Sequence, residues 1–446
     1  MSASNSLQNL NVKDSGELFG HPKGLYVLFF TELWERFSYY GMRAILVLFI
    51  VAGTDKVGAE FQGLGWSNAD ALNLYGWYTM LVYVASIPGG ILADRVFGQK
   101  KMVMIGGLLL VAGHGIMAIS GIVPFFIGLT LIVLGVGGLK PNVSTMVGGL
   151  YKEGDPRRDK GFTIFYIGIN VGAFLAGISV GYVAALYGWH YGFGLAGIGM
   201  LIGQLIFMGG QKYLKGVGDF VKVKNNSTGK SISKPLTAIE KDRVIVLLIS
   251  FLIVIVFWGA FEQAGGLMNI FTNERTNRVI FGLEIPAGVF QSVNSFYIML
   301  FGTVIAGFWA TRKAKGKEAS SLFKMAVGTI IMGLGFFFMS GASLESQVGP
   351  SGEILTKSSV LWILGAYLFH TIGELCLSPV ALSFITKLAP AKYVSIMMGV
   401  YFAVTGLGNK LAAYLGEAAQ DLGELEIYTG IALFSVLFGF LLIVFY

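Results

Sequence analysis

Apolar residues in this chain gather into blocks of about 20 that recur from residue 24 to the C-terminus. One helix needs about 20 mostly apolar residues to cross the hydrocarbon core of a bilayer. No water reaches the peptide groups there, so a spanning segment satisfies them within its own helix or within a closed barrel. Twelve blocks are expected as helices, near residues 24–52, 69–92, 101–121, 123–148, 161–187, 189–210, 242–265, 284–311, 322–343, 358–386, 393–417 and 425–446. Composition agrees: 54% of the 446 residues are hydrophobic and 13% charged, against about 25% charged in a soluble domain. The 63 glycines are roughly twice the usual share and let helix backbones approach closely inside a bilayer. The chain reads as an all-α membrane protein.

Charge decides how the blocks are threaded. Residues 1–23 are a polar tail, and no cleavable leader is expected, because the apolar run from Leu25 is long and lacks a small-residue cleavage site. Residues 211–241 are polar and Lys-rich; they separate one set of six blocks, 24–210, from another, 242–446. Lys and Arg favour cytoplasmic loops. Alternate threading puts 24 of them on one side, in the tail, the loops near 95–101, 152–160, 312–324 and 387–392, and the linker. The opposite side holds Lys56, Arg275, Arg278 and Lys357. Both termini are therefore expected in the cytoplasm. The net charge of +7 belongs to this bias, and nucleic acid is not needed as a partner.

Between the second and third blocks stands Gly90-Ile91-Leu92-Ala93-Asp94-Arg95-Val96-Phe97-Gly98-Gln99-Lys100-Lys101. The glycines permit a tight turn, and Asp94, beside Arg95, can pair with basic groups at this face and hold a gate shut. A charged turn that merely anchors the loop is the competing reading. This loop and the six-plus-six layout resemble the major facilitator superfamily, which implies two six-helix bundles around a central cavity.

Four basic residues remain inside the blocks, Arg36, Arg43, Lys140 and Lys410, with four acids, Glu32, Glu35, Glu262 and Glu374. Lys410 stands late in its block and is read as snorkelling to the outer surface. A charge at the bilayer centre costs about 2.5–3.5 kcal/mol, so the four on the first block alone oppose insertion by roughly 10 kcal/mol if unpaired. Glu32, Glu35, Arg36, Tyr39, Tyr40 and Arg43 recur at helical spacing and share one face. Their stripe is about 16 Å long and suits the wall of an internal cavity. A purely structural ion-pair network is the alternative. Other blocks add Tyr83; Lys140 and Asn142 around Pro141; Tyr166 and Asn170; Trp258 and Glu262; Asn294; His370 and Glu374; and Tyr401 and Thr405. Polar groups from both halves are what a site near the bilayer midplane requires. With Lys410 set aside, four carboxylates face three bases, and a carboxylate without a partner at low dielectric tends to take a proton.

Five motifs then carry a family resemblance over essentially the whole length. They are Glu32-Leu33-Trp34-Glu35-Arg36 with the following Tyr39, Tyr40 and Arg43; Gly138-Leu139-Lys140-Pro141-Asn142; Phe165-Tyr166-Ile167-Gly168-Ile169-Asn170; Phe261-Glu262-Gln263; and Gly373-Glu374-Leu375. Together they resemble the proton-dependent oligopeptide transporters. The resemblance implies symport of di- and tripeptides with protons by alternating access, without a cofactor. It implies that Glu374, Asn170 and Asn294 receive the peptide amino terminus, and that Arg43 and Lys140 attract its carboxylate. Tyr39, Tyr40 and Tyr83 would supply hydroxyls and aromatic surface. Glu32, Glu35 and Glu262 would handle the proton, with Arg36, Arg43 and Lys140 as exchangeable partners. Tyr401 stands where many members have tryptophan, beside Thr405, and Gly76 stands where animal members have a histidine. The two extra helices of many bacterial members have no counterpart in 211–241.

Another carrier of the superfamily, for nitrate or a peptide-like compound, is the alternative function. An enzyme is not expected, because HExxH, a Ser-His-Asp spacing and a Gly-rich phosphate loop are all missing. Cys376, the single cysteine, reads as a packing residue, as do His114 and His190; His370 stands at a spacing that would let it tune Glu374. The chain is expected to act as a monomer.

Overall fold

The computed structural model describes residues 16–152, 155–220, 236–350, 353–390 and 394–445. Twelve long helices follow one another: α1 Lys23–Val51, α2 Asn68–Val84, α3 Gln99–Met117, α4 Ile122–Gly149, α5 Arg158–Tyr187 and α6 Trp189–Gly210, then α7 Ala238–Phe261, α8 Ser292–Ala314, α9 Ser321–Glu345, α10 Val360–Leu388, α11 Val394–Leu422 and α12 Glu424–Val444. Among the described residues, ten of these stretches are long and apolar enough to cross a membrane. The other two are α1 and α11, which carry Glu32, Glu35, Arg36 and Arg43 on one and Lys410, Glu417 and Asp421 on the other. The twelve expected blocks correspond to these helices in order.

Local chemistry explains where several of them start. Ser67 accepts a hydrogen bond from the Asp70 amide at the head of α2, and Thr237 and Glu240 form a reciprocal capping box before α7. Two boundaries differ from expectation. Glu262–Ala264 is a 3-10 turn, after which the helix resumes as Leu267–Arg275; its apolar residues are interrupted by Asn269, Thr272, Asn273, Glu274 and Arg275, so the continuous apolar signal ends before the helix does. Helix α8 starts at Ser292, not near 284, because a two-strand hairpin pairs Val279–Ile280 with Leu283–Glu284 and a 3-10 turn over Ala287–Gln291 follows Pro286. Of the expected linker, residues 221–235 lie outside the described residues, as do residues 1–15 of the tail.

Helix α1 packs along α5 and α6, and α3 along α4 and α6, in the first set; α9 packs along α10 and α12, and α7 along α11, in the second. The two sets meet along two seams, α2 with α11 and α5 with α8. Calling the side of the chain termini the near side, the seam contacts concentrate in the far halves of the helices. There a side chain on Gly76 of α2 would collide with Ala413 of α11. Nearby, Ser292 Oγ donates to the Phe174 carbonyl at 2.8 Å, and Asn269 Nδ2 donates to the Ala44 carbonyl at 3.0 Å. The α2–α11 seam also carries a polar knot. Lys410 Nζ lies 3.2 Å from Asn73 Oδ1 and 3.4 Å from Glu417 Oε1, and Asn73 Nδ2 donates to Glu417 Oε2 at 3.0 Å. Lys410 is thus tied across the seam with its side chain still about a quarter exposed: its length allows a partner on α2, and Glu417 two turns on pairs with it.

Candidate functional site

The charged stripe of α1 is buried along its length, apart from half-buried Tyr40. Glu32 and Glu35 are each 1% exposed, Arg36 8% and Arg43 7%, so no bulk solvent screens them. Arg36 Nε donates to Glu32 Oε1 at 2.8 Å and stands 3.1 Å from Glu35 Oε2. One guanidinium therefore serves two carboxylates. Glu32 Oε2 and both Glu35 oxygens have no hydrogen-bond partner among the described residues, so a proton or a cation arriving there finds free acceptor capacity. Two turns along, Arg43 leaves its own helix: its Nη2 lies 2.9 Å from Glu262 Oε1 on the 3-10 turn that follows α7. That ion pair joins the first bundle to the second. Tyr75 of α2 completes it, its hydroxyl donating to Glu262 Oε1 at 2.6 Å and accepting from Arg43 Nε at 2.8 Å.

Lys140, beside Pro141 in α4, has its ammonium 4.0 Å from the centre of the Tyr83 ring, a cation–π contact between two residues expected at the site. None of the ion pairs on Arg36 or Arg43 includes it. Tyr39 and Tyr40 pack edge to face at 5.4 Å, and the Arg43 guanidinium lies 5.8 Å from the Tyr40 ring. In the second bundle Asn294 of α8 donates to Glu374 Oε2 at 2.9 Å and to Thr371 Oγ1 at 3.0 Å. Glu374 lies within electrostatic reach of Arg43 and of Tyr40. A basic group, Arg43, and an acidic group, Glu374, thus stand on opposite bundles.

Other expected residues are less directly engaged. Asn170 is buried, and its Nδ2 donates to the Tyr166 carbonyl of its own helix at 2.9 Å. Thr405 likewise spends its hydroxyl proton on the Tyr401 carbonyl, at 3.0 Å. Tyr401 packs against Phe251 and Phe402. Asp94 and Arg95 are exposed and make no ion pair among the described residues; in this conformation Lys100 of the same loop pairs instead with Asp219, at 2.7 Å. His370 does not tune Glu374. Its ring lies 4.5 Å from that of Phe336 and makes no hydrogen bond among the described residues, because its side chain faces α9 while Glu374 faces α8. His190 Nδ1 lies 2.9 Å from the Met117 carbonyl, a structural tie.

Sequence reasoning missed Tyr75, Tyr78, Thr371, Asn73 and Glu417. Tyr75 and Tyr78 lie on the buried face of α2 with Ala71, Leu72, Thr79 and Val82, and that helical period was the available signal. Tyr78 is within electrostatic reach of Glu35 and of Tyr39, placing it against the stripe.

Two sets of six helices, buried charged groups on both, and the Arg43–Glu262 ion pair that crosses between them define a multi-pass membrane transporter. A family model described as POT family matches residues 100–231 and 219–424. "Uncharacterized transporter YclF" of Bacillus subtilis (strain 168) is 35% identical, the alignment covering 95% of this chain and 94% of that one. The "Di-/tripeptide transporter" of Lactococcus lactis subsp. lactis (strain IL1403) is 31% identical, with 98% and 97% covered. A crystal structure of a mutant peptide transporter POT in complex with alafosfalin superposes with a TM-score of 0.87 at 35% identity, covering 97% of this chain and 96% of that one. The chain belongs to the POT family, within the major facilitator fold, and is a transporter, not an enzyme.

Proposed function

We propose that this protein is a proton-coupled symporter importing di- and tripeptides, with both termini in the cytoplasm of a bacterial inner membrane. The observation that carries the reading is the Arg43–Glu262 ion pair, which ties one bundle to the other at the centre of the molecule. Protonating Glu262 removes the charge that holds Arg43, frees the guanidinium for a peptide carboxylate and loosens the seam in one event. A peptide zwitterion needs a second pole, and Glu374, held by Asn294, offers a carboxylate for its ammonium group. An inorganic anion such as nitrate has no use for that acid. Glu32 and Glu35, sharing Arg36, supply a second place where a proton exchanges for an ion pair. The contacts across the far halves of the seams correspond to a closed outer gate, and a membrane potential would add about 2.3 kcal/mol per charge per 100 mV to the drive.

The test is uptake of a labelled dipeptide by proteoliposomes under an inward proton gradient. Accumulation above equilibrium that collapses with a protonophore is expected. Absence of uptake with the gradient in place would refute the assignment.

A further inference from the structure

Tyr75 belongs to the first bundle, yet its hydroxyl is spent on a carboxylate of the second. It is 2% exposed, and its oxygen lies 2.6 Å from Glu262 Oε1 and 2.8 Å from Arg43 Nε. The 3-10 turn that carries Glu262 brings Gly265 directly against this hydroxyl, and any Cβ there would collide with it. The backbone is therefore shaped to admit the Tyr75 oxygen. We propose that Tyr75 is a positioning residue for Glu262, holding the carboxylate in its charged, Arg43-bound form and so setting the pH at which the two bundles part on the far side. The proposal rests on the proton-coupled reading above and deepens it.

Among the described residues, the ionisable groups within electrostatic reach of Glu262 are few. Arg43, Tyr39 and Tyr40 come from α1, Tyr75 and Tyr83 from α2, Lys140 from α4 and Tyr367 from α10. Helix α11 touches the same turn, Gln263 Nε2 donating to the Ala412 carbonyl at 2.8 Å, but its charged residue Lys410 is occupied by Asn73 and Glu417. Of these hydroxyls, Tyr75 alone has a hydrogen bond to Glu262 among the described residues. A donor to a carboxylate favours its charged form. In Tyr75→Phe the ring packing stays and the donor goes, so the seam is released at higher pH.

The experiment uses the full chain in proteoliposomes and, in parallel, in nanodiscs with spin labels at Lys56 and Val279, which are exposed on the far side of the two bundles. Dipeptide uptake against pH, and the label separation against pH without peptide, are measured for the parent, Tyr75→Phe, Glu262→Gln and the double variant. Tyr75→Phe is expected to move both midpoints upward by about one pH unit, the size of a charge-assisted hydrogen bond. In the Glu262→Gln background it should move neither. Curves of Tyr75→Phe that overlay the parent, or a displacement that persists in Glu262→Gln, would overturn the proposal. A parent that takes up no dipeptide refutes the symport reading alone, since the label separation still decides the role of Tyr75.

Discussion

Residue by residue, the proposed symport divides its labour between groups assigned to the proton and groups assigned to the peptide. Arg36 cannot neutralise Glu32 and Glu35 together, so neutralising either acid by substitution removes the competition that a proton would otherwise resolve. Glu32→Gln or Glu35→Gln should therefore abolish gradient-driven uptake while counterflow exchange of peptide persists; driven uptake at the parental level in both variants would remove the pair from coupling. Glu374→Gln tests the other task. A hydrogen bond to a charged group is worth about 1.5–3 kcal/mol, so binding of peptides with a free amine should weaken roughly ten- to a hundredfold. Amine-blocked peptides should lose much less, and equal losses would place the ammonium elsewhere. These charged residues were legible in the sequence because a charge in an apolar helix has no cheap structural excuse. Tyr75 was not: a tyrosine inside a bundle is an ordinary packing residue, and only the observed donor geometry separates it from its neighbours. The partners of Lys410 were not legible for the converse reason, since the acid that pairs with it, Glu417, stands on its own helix in a stretch taken to be its end.

At the level of elements, the seams are built from small residues and one polar knot, and the two contribute unequally. Lys410 and Glu417 are about a quarter exposed in their side chains, so solvent screens the pair and its loss should cost about 0.5–1 kcal/mol. Lys410→Met should shift the balance between a closed and an open far side only two- to fivefold. Gly76→Leu is a different kind of change, because its side chain meets the Ala413 Cβ of the neighbouring helix, which cannot swing aside as the nearby Lys410 side chain can. It should hold the far side open nearly completely, and the separation of spin labels at Lys56 and Val279 reports both outcomes. A larger effect from Lys410→Met than from Gly76→Leu would mean that charge, not packing, closes this seam. Helix existence and order were readable from apolar length, since each block has one physical job. The continuation of α7 past Glu262 was not, because Leu267–Arg275 mixes apolar with polar residues and is stabilised by tertiary contacts such as Asn269 with Ala44.

For the whole molecule, alternating access demands that the far halves of the bundles separate while each bundle stays intact. The six-plus-six division follows from hydropathy, but which halves touch does not, because both arrangements bury similar sequences. The α5–α8 seam offers a direct way to arrest the motion. A Cβ built on Gly177 would lie 3.3 Å from the Ser292 Cβ, a few tenths of an ångström short of the roughly 3.5–4.5 Å that a disulfide spans. Gly177→Cys combined with Ser292→Cys, in a Cys376→Ala background to remove the native thiol, should form a bond under mild oxidation. With the far side locked, peptide uptake from that side should fall to background, and a reductant should restore it. Peptide binding should survive the lock in detergent, where the near side stays accessible, and titration of a labelled dipeptide measures it. Uptake that continues at the parental rate with the disulfide verified by mass spectrometry would show that transport does not require this seam to open. Loss of binding along with uptake would instead mean that the site is assembled only when the far side opens. The arrest thus separates a gate that admits the substrate from a gate that builds its site.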